Sequence, residues 1–105
     1  MSHDHKPDNP EEKKRIEKAG GFVEDNRVNG ILNLSRSIGD LDYKNDNNLK
    51  VDEQKITVVP EIERQPLNQD CEFLVIACDG IWDCLTSQEC AELVHENLPK
   101  KESIG

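Results

Sequence analysis

The apolar run at residues 73–78 constrains the fold of this 105-residue sequence more than any other feature. The run reads Phe-Leu-Val-Ile-Ala-Cys without alternating polar positions, which predicts a strand that must be covered on both faces. Apolar residues make up only 34% of the chain, whereas they make up roughly 45–50% of a usual globular domain. We therefore expect that the chain cannot easily supply both covers.

A helix predicted at residues 87–98 supplies one of the two covers. The sequence at 86–89, Thr-Ser-Gln-Glu, matches the capping box, in which a hydroxyl and a carboxylate satisfy backbone amides at a helix start. Apolar residues then recur at helical spacing, at Cys90, Leu93, Val94 and Leu98. The other face of the strand needs a partner outside this sequence.

The N-terminal part of the sequence predicts a helix over residues 10–19. Pro10 and the two acidic residues after it are typical of a first helical turn, with Asn9 as the expected N-cap. The glycine pair at 20–21 indicates the end of the helix, because glycine adopts the left-handed conformation that closes one.

The segments after this helix predict extended structure and one loop. Residues 22–24 are strand-like, and the Asn-Gly pair at 29–30, with apolar residues on both sides, predicts a two-residue hairpin turn. A high density of Asn and Asp predicts a loop over 42–54. Residues 56–64 alternate weakly around Pro60, which suits an edge strand or a bent strand.

The charge of the chain argues against nucleic acid and membrane surfaces as partners. There are 13 Lys and Arg residues against 22 Asp and Glu residues, and the net charge of −9 leaves no basic face to neutralise phosphates. The N-terminus lacks the apolar stretch of a signal peptide, and no apolar run approaches the roughly 18 residues of a membrane span. We expect a soluble, unsecreted protein.

The cysteines favour a reducing compartment. All four lie in the last third of the chain, at Cys71, Cys78, Cys84 and Cys90. Cys78 and Cys90 fall within apolar patterns, where a reduced thiol acts as a small hydrophobic side chain. We expect free, buried or half-buried thiols and a location in the cytoplasm or nucleus.

Asp79 is the strongest candidate for a metal ligand. It lies where the predicted buried strand ends, and a carboxylate at such a position is held rigidly while its oxygens reach the surface. Gly80 would let the backbone turn and approach a ligand closely. An Asp-Gly pair alone is most often an ordinary turn, so it is a weak signal by itself.

Other candidate sites fit their patterns less well. His3 and His5 have no third nitrogen or sulfur ligand nearby in the sequence, and the cysteine spacing matches no zinc motif. The segment 42–53 fails as a calcium loop because Lys44 occupies a ligand position. His95 lies beside the apolar stripe of the predicted helix, where a structural role is the better interpretation.

Six strings, in their order and approximate spacing, resemble the family of metal-dependent protein serine/threonine phosphatases of the 2C type. They are Asp4-His5-Lys6-Pro7, Arg15-Ile16 with Ala19-Gly20-Gly21, Arg27-Val28-Asn29-Gly30, Leu34-Ser35-Arg36-Ser37-Ile38-Gly39-Asp40 with Tyr43-Lys44, Pro60-Glu61-Ile62, and Ala77-Cys78-Asp79-Gly80-Ile81-Trp82-Asp83. The resemblance covers roughly residues 4–98, and the last string is its most specific part.

The resemblance implies an α+β fold, part of a four-layer α-β-β-α sandwich of antiparallel sheets that is incomplete in this chain. One partial domain would occupy 1–105, with a flap-like region at 1–44 and core strands with a covering helix at 56–98. The implied activity is hydrolysis of phosphoserine and phosphothreonine proteins by a water that two Mn²⁺ or Mg²⁺ ions activate, without a phosphoenzyme.

The resemblance also assigns site residues. Asp79 matches the metal-ligating aspartate of the family's Asp-Gly-Ile-Trp-Asp string, where carboxylate oxygens suit a hard divalent cation. Gly80, Asp83, Arg36 and Asp40 match motif positions that support the fold or the site rather than contact the metal. No catalytic residue is implied for this chain apart from the metal ligand and these supporting positions.

Three parts of the family pattern are absent: the Asp-Gly-His-Gly string, an early phosphate-binding arginine and a late Asp-Asn ligand. A single carboxylate cannot hold two cations, so we expect at most weak metal binding and no turnover by this chain alone. The alternative is a non-catalytic, phosphatase-derived interaction module. The flanking gene sequence distinguishes the two, because only an enzyme needs the missing ligands.

Overall fold

The computed structural model describes residues 1–98, which form mixed α/β structure in two compact units, Met1–Arg64 and the residues from Gln65 on. The first unit contains α1 (Pro10–Lys18), β1 (Val23–Glu24), β2 (Arg27–Val28) and two short 3₁₀ turns (Leu41–Tyr43 and Val51–Glu53). The second contains α2 (Asp79–Trp82) and α3 (Ser87–Asn97). No helix among the described residues has the length and apolar composition needed to cross a membrane.

Helix α1 confirms the predicted N-terminal helix and ends one residue earlier than expected. The amide of Gly21 donates to the carbonyl of Ile16 over 2.9 Å, and Gly20 has a φ of 76°, so the glycine pair closes the helix as predicted. Asn9 precedes the helix, but its side chain donates to the carbonyl of Asp4. Asn9 thus occupies the N-cap position as predicted, but its side chain accepts no hydrogen bond from the helix amides, so the predicted side-chain cap was wrong.

Strands β1 and β2 form an antiparallel hairpin in which Val23 lies opposite Val28. The two-residue turn that joins them is Asp25-Asn26, whose φ angles are 49° and 56°. Asp and Asn adopt positive φ at lower cost than most residues, and such turns match the twist of paired strands.

The predicted turn at Asn29-Gly30 is present but has a different length. Both residues have positive φ, 51° and 70°. With Ile31 they form a three-residue loop between Val28 and Leu32, whose backbone groups exchange hydrogen bonds of 2.7 and 3.2 Å. The prediction of a two-residue turn here was wrong, because the two-residue turn of this region is the preceding one, at Asp25-Asn26.

The core of the first unit is small. It consists of three fully buried side chains, Ile16, Val28 and Ile56, against which Val23, Leu32 and Tyr43 pack. These residues come from α1, the hairpin, the loop region and the segment after it. The core therefore joins all parts of this unit with few apolar side chains, as the low apolar content of the sequence predicts.

The strand predicted over 56–64 is reduced to one parallel pairing, between Arg36 and Thr57. The amide of Ser37 donates to the carbonyl of Thr57 over 3.0 Å, and the Thr57 amide donates to Ser35 over 3.3 Å. No longer strand forms among the described residues of this segment, so the prediction was wrong in extent. Pro60, which has no N–H to donate, lies three residues beyond the pairing.

The loop predicted over 42–54 is irregular apart from the two 3₁₀ turns. The buried side chain of Gln54 holds it together, because its Nε2 donates to the carbonyls of Asp46 and Leu49 over 2.7 and 3.1 Å.

The strand predicted at 73–78 does not form, and this is the largest correction in the second unit. Leu74 is 70% exposed and Ile76 is 87% exposed. A strand needs a neighbouring strand to pair with, and among the described residues the only sheet is the one that β1 and β2 form in the first unit. The sequence indicated the apolar run correctly, but the run lacks the partner that would make it a strand.

Helix α3 confirms the predicted C-terminal helix and its capping box. The amide of Glu89 donates to Oγ1 of Thr86 over 3.2 Å, and the Thr86 amide donates to Oε2 of Glu89 over 2.8 Å. Cys90 is buried, whereas Leu93 and Leu98 on the same apolar stripe are exposed. The helix has formed, but its apolar face is only partly covered.

The four cysteines are free, as predicted, but most are not buried. Cys90 is the buried one, while Cys71, Cys78 and Cys84 are exposed. The expectation for Cys78 was wrong because it depended on the strand at 73–78, which does not form.

Candidate functional site

Asp79 is exposed and begins α2, a single helical turn. The amide of Asp83 donates to the carbonyl of Asp79 over 2.8 Å, which closes this turn. The sequence predicted that Asp79 follows a strand. That expectation was wrong, since residues 73–78 belong to no strand in the part of the chain that the structure describes, and no sheet there holds the carboxylate rigidly.

Gly80 and Asp83 lie beside Asp79 on the same turn. The backbone of Gly80 is helical, and an added Cβ would meet only Sγ of Cys78 at 3.7 Å, which is an ordinary contact. The conformation here therefore does not itself require glycine. Asp83 is exposed and follows Asp79 by four residues, a spacing that makes side chains neighbours on a helix.

Trp82 ties α2 to the unpaired apolar segment. Its Nε1 donates to the carbonyl of Ala77 over 2.7 Å. The indole thus fixes the bend between the end of the apolar run and the turn that carries Asp79.

The described residues do not fit a complete two-metal site. Among residues 1–98 there is no group of three or more His, Cys, Asp or Glu side chains placed to hold a metal ion. Hard divalent cations take about six oxygen ligands, of which Asp79 offers one carboxylate. What this arrangement provides is the exposed carboxylate of Asp79, with that of Asp83 one helical turn away.

Arg36 lies in the first unit and is paired with the carboxylate of Glu12. Its Nη2 donates to Oε1 over 2.5 Å, and its Nε lies 3.2 and 3.3 Å from the two carboxylate oxygens. Nη1 of Arg36 donates to the carbonyl of Val59 over 3.2 Å. The predicted supporting role of Arg36 thus has a concrete set of contacts.

Arg15 approaches the same carboxylate from within α1. Its Nη1 donates to Oε2 of Glu12 over 2.7 Å, and its other nitrogens donate to the carbonyls of Ser35 and Gln54 over 2.6 and 3.1 Å. We call Glu12, Arg15 and Arg36 the Glu12 cluster. It joins α1 to the segments on both sides of the 42–54 loop.

The Glu12 carboxylate is only 2% exposed, and it is ionised despite its burial. Burial by itself raises the pKa, but the hydrogen bonds from Arg36 and Arg15 outweigh it and hold the pKa of Glu12 at about 2. The same hydrogen bond to Glu12 raises the pKa of Arg36. Glu12 and Arg36 therefore both stay charged at neutral pH.

Sequence reasoning missed Glu12, which it treated only as an acidic residue of a first helical turn. A partial signal was present, because Arg15 follows Glu12 at the helical spacing of three residues. Nothing in the local pattern pointed to Arg36, which is 24 residues away.

Asp40 belongs to the first unit but makes a different contact from Arg36. Ser37 Oγ donates to Oδ2 of Asp40 over 2.5 Å, and Lys44 Nζ donates to the carbonyl of Ser37 over 2.6 Å. Asp40 has a φ of 50° and follows Gly39 at 86°. Asp40 thus stabilises its own tight loop, and the structure joins it to Arg36 by no hydrogen bond among the described residues.

Two of the three histidines each contact a glutamate. Nε2 of His5 lies 3.1 Å from Glu61, and Nδ1 of the exposed His95 lies 2.9 Å from Glu72. The structural role predicted for His95 agrees with its contact.

Comparison with known proteins identifies the chain. The family model for protein phosphatase 2C matches residues 1–104. The chain is 52% identical over 105 residues to the probable protein phosphatase 2C 60 of Arabidopsis thaliana, covering all of this chain and 29% of that protein. It is 52% identical over 98 residues to protein phosphatase 2C 1 of Paramecium tetraurelia, covering 93% of this chain and 33% of that protein.

A solved structure agrees with these relatives. The crystal structure of a phosphatase from Toxoplasma gondii is 53% identical, has a TM-score of 0.56, and is matched over 58% of this chain and 19% of that chain. The chain spans about a third or less of the length of the relatives it matches. It belongs to the protein phosphatase 2C family.

Proposed function

We propose that this chain is an incomplete catalytic domain of a metal-dependent protein serine/threonine phosphatase, without activity on its own. The observation that carries the proposal is the family match over 1–104. The full protein hydrolyses phosphoserine and phosphothreonine esters on protein substrates. This chain lacks turnover because its described residues bring no three His, Cys, Asp or Glu side chains together, whereas two cations need many oxygen ligands.

The complete domain, in this proposal, is a four-layer α-β-β-α sandwich of antiparallel sheets. The 73–78 segment becomes a core strand there, and α3 covers it within the region 56–98. Support comes from Leu74 and Ile76, which are apolar and exposed in this chain and would be buried by pairing and packing. Residues 1–44 form the flap-like region.

The proposed cofactors are two Mn²⁺ or Mg²⁺ ions, and Asp79 is one of their ligands. Carboxylate oxygens are the donors that both ions prefer. Gly80 and Asp83 support the turn that presents Asp79. Since the described residues do not complete the donor set, we assign no chemical step to this chain alone.

Arg36 and Asp40 support the fold in this proposal and do not contact the metal. Arg36 is occupied by Glu12 and by the Val59 carbonyl, and Asp40 is occupied by Ser37. A charged side chain that already holds such partners would have to give them up to bind a cation or phosphate.

The proposed partners are phosphoproteins, and the proposed location is the cytoplasm or nucleus. A net charge of −9 disfavours nucleic acid and anionic membranes as partners. Four free cysteines, three of them exposed, suit a reducing compartment.

The second candidate function is a non-catalytic interaction module. The observation that favours it is the exposed apolar segment of the second unit, since exposed apolar surface is typical of binding sites. In that case the chain binds a partner or competes for phosphatase substrates without hydrolysing them.

The full-length transcript around this reading frame tests the two functions. The phosphatase proposal expects an in-frame Asp-Gly-His-Gly string upstream and an Asp-Asn ligand downstream. The encoded full protein should then hydrolyse a phosphothreonine peptide with Mn²⁺, while this chain alone should not. A transcript limited to these residues would instead favour the interaction module.

Substitution then tests the role of Asp79 in the full protein. Asp79→Asn should abolish turnover, whereas Asp70→Asn, at an exposed aspartate outside the motif, should leave it unchanged. Full activity in the Asp79→Asn protein would refute the proposed ligand role.

A further inference from the structure

Asn29 is followed by Gly30, and no other asparagine in this sequence precedes a glycine. Its backbone amide donates to the carbonyl of Phe22 over 2.8 Å. Its side-chain Oδ1 accepts the amide of Phe22 over 3.1 Å. One residue thus satisfies both backbone groups of Phe22, at the point where the chain enters the hairpin.

The dipeptide has an intrinsic chemical reactivity. The backbone nitrogen of Gly30 can attack the side-chain Cγ of Asn29, which forms a succinimide ring and releases the side-chain nitrogen as ammonia. Water then opens the ring to give aspartate or isoaspartate at position 29. Glycine favours this step because it has no side chain to hinder the attack and the widest backbone freedom.

The folded structure opposes this attack in three ways. The side-chain carbonyl of Asn29 is held by its hydrogen bond from the Phe22 amide, and the loop holds the backbone of Asn29 at a φ of 51°. The N–H of Gly30, whose nitrogen would be the nucleophile, points to the carbonyl of Arg27 at 3.4 Å. A Cβ on Gly21 would lie 3.0 Å from Oδ1 of Asn29, so the side chain is also closely packed.

We propose that Asn29 is a deamidation site whose modification is held back by its contacts with Phe22 and proceeds when residues 22–29 open. The modification then marks opening of the hairpin irreversibly. Aspartate at position 29 keeps an oxygen that can accept the Phe22 amide. Isoaspartate adds a methylene to the main chain, which displaces the Asn29 amide from the Phe22 carbonyl and prevents the native pairing.

The experiment incubates the 105-residue chain in mildly alkaline buffer, with and without concentrated guanidinium chloride. Peptide mapping by mass spectrometry follows the replacement of the side-chain NH₂ by OH at each asparagine. Asn26 is the internal control, because it also has positive φ and accepts a backbone amide, from Asp8, but is followed by Arg27. Hydrogen exchange at the Phe22 and Asn29 amides is measured on the native sample.

In denaturant, Asn29 should react before Asn26. In native buffer the reaction at Asn29 should slow by about tenfold or more, because two hydrogen bonds have to open first. Equal rates at Asn29 in the two solutions overturn the proposal, whether the two amides are found protected or not. Faster reaction at Asn26 than at Asn29 in denaturant overturns it as well.

Discussion

The guanidinium of Arg36 donates hydrogen bonds from two of its nitrogens to the buried carboxylate of Glu12. Because Arg36 also forms the backbone bridge with Thr57, this ion pair joins helix α1 to that segment. Arg15 binds the second carboxylate oxygen from the same helix as Glu12. The fully buried apolar core of this unit has only three side chains, so we expect these polar contacts to contribute a large part of its tertiary stability. They also give a physical basis for the supporting role that we propose for Arg36.

Replacing Glu12 with glutamine should destabilise the first unit by about 3 kcal/mol, because it leaves two partly buried guanidinium groups without their counter-charge. Urea denaturation followed by circular dichroism measures the loss. Glu11→Gln is the matched control, since Glu11 precedes Glu12 in the same helical turn but is exposed. Equal midpoints for the two variants would mean that the cluster contributes little.

The stability of the first unit should fall in acid. The pKa of Glu12 is lowered from 4.5 to about 2 in the folded chain, so the unfolded chain takes up the proton first. The contribution of Glu12 is therefore complete above pH 4.5 and is lost as the pH falls towards 2. This contribution of Glu12 to the free energy of unfolding is about 3 kcal/mol.

Denaturation midpoints across this acid range check the pH dependence. Other carboxylates also titrate there, so the comparison is with Glu12→Gln, which lacks the group but keeps the rest. The difference between the two proteins should shrink as the pH falls through this range. A difference that stays constant would contradict the assignment to Glu12.

The sequence predicted those parts of the fold whose causes are local. Helix α1 followed from Pro10 and the glycine pair after it, and α3 followed from Thr86 and Glu89, all of which act within a few residues. The hairpin region was also located, although the two-residue turn lies at Asp25-Asn26 and not at Asn29-Gly30 as predicted. In each case the determining hydrogen bonds lie close together in the sequence.

The remaining features depend on distant residues. The apolar run 73–78 was recognised, but whether it becomes a strand depends on a neighbouring strand rather than on its own composition. The contact between Glu12 and Arg36 spans 24 residues and depends on how α1 packs. For the candidate site, sequence strings located Asp79, but no local pattern could supply its partner ligands.

Removing the cap of α3 should loosen that helix. Thr86→Ala deletes the hydroxyl that accepts the Glu89 amide, and loss of such a cap typically costs about 1 kcal/mol. Hydrogen exchange of the α3 amides should speed up accordingly. Thr86→Ser keeps the hydroxyl and should exchange like the parent chain, so identical exchange in the alanine variant would show that the cap is dispensable.

The isolated chain should bind Mn²⁺ weakly, with a Kd above about 1 mM, because fewer than three ligating side chains lie together among the described residues and they replace only a small part of the ion's hydration shell. Paramagnetic line broadening in a Mn²⁺ titration should be strongest near Asp79, and Asp79→Asn should reduce it there. Saturation at micromolar Mn²⁺ would mean that the chain holds a far more complete site than the turn with Asp79 provides.

The exposed apolar segment should make the chain associate with itself at high concentration. Ile76 is 87% exposed within a run that has high β-propensity and no charge or proline, the pattern that promotes strand pairing between chains. Ile76→Lys should therefore lower the associated fraction seen by analytical ultracentrifugation. Leu67→Lys adds the same charge at a residue that is 90% exposed but lies outside the run, so it separates the effect of charge from that of position. If both variants lower association equally, net charge governs association and the apolar run is not the contact surface. If only Ile76→Lys lowers it, the segment 73–78 is the contact surface, as expected for a strand that would be covered in a complete domain.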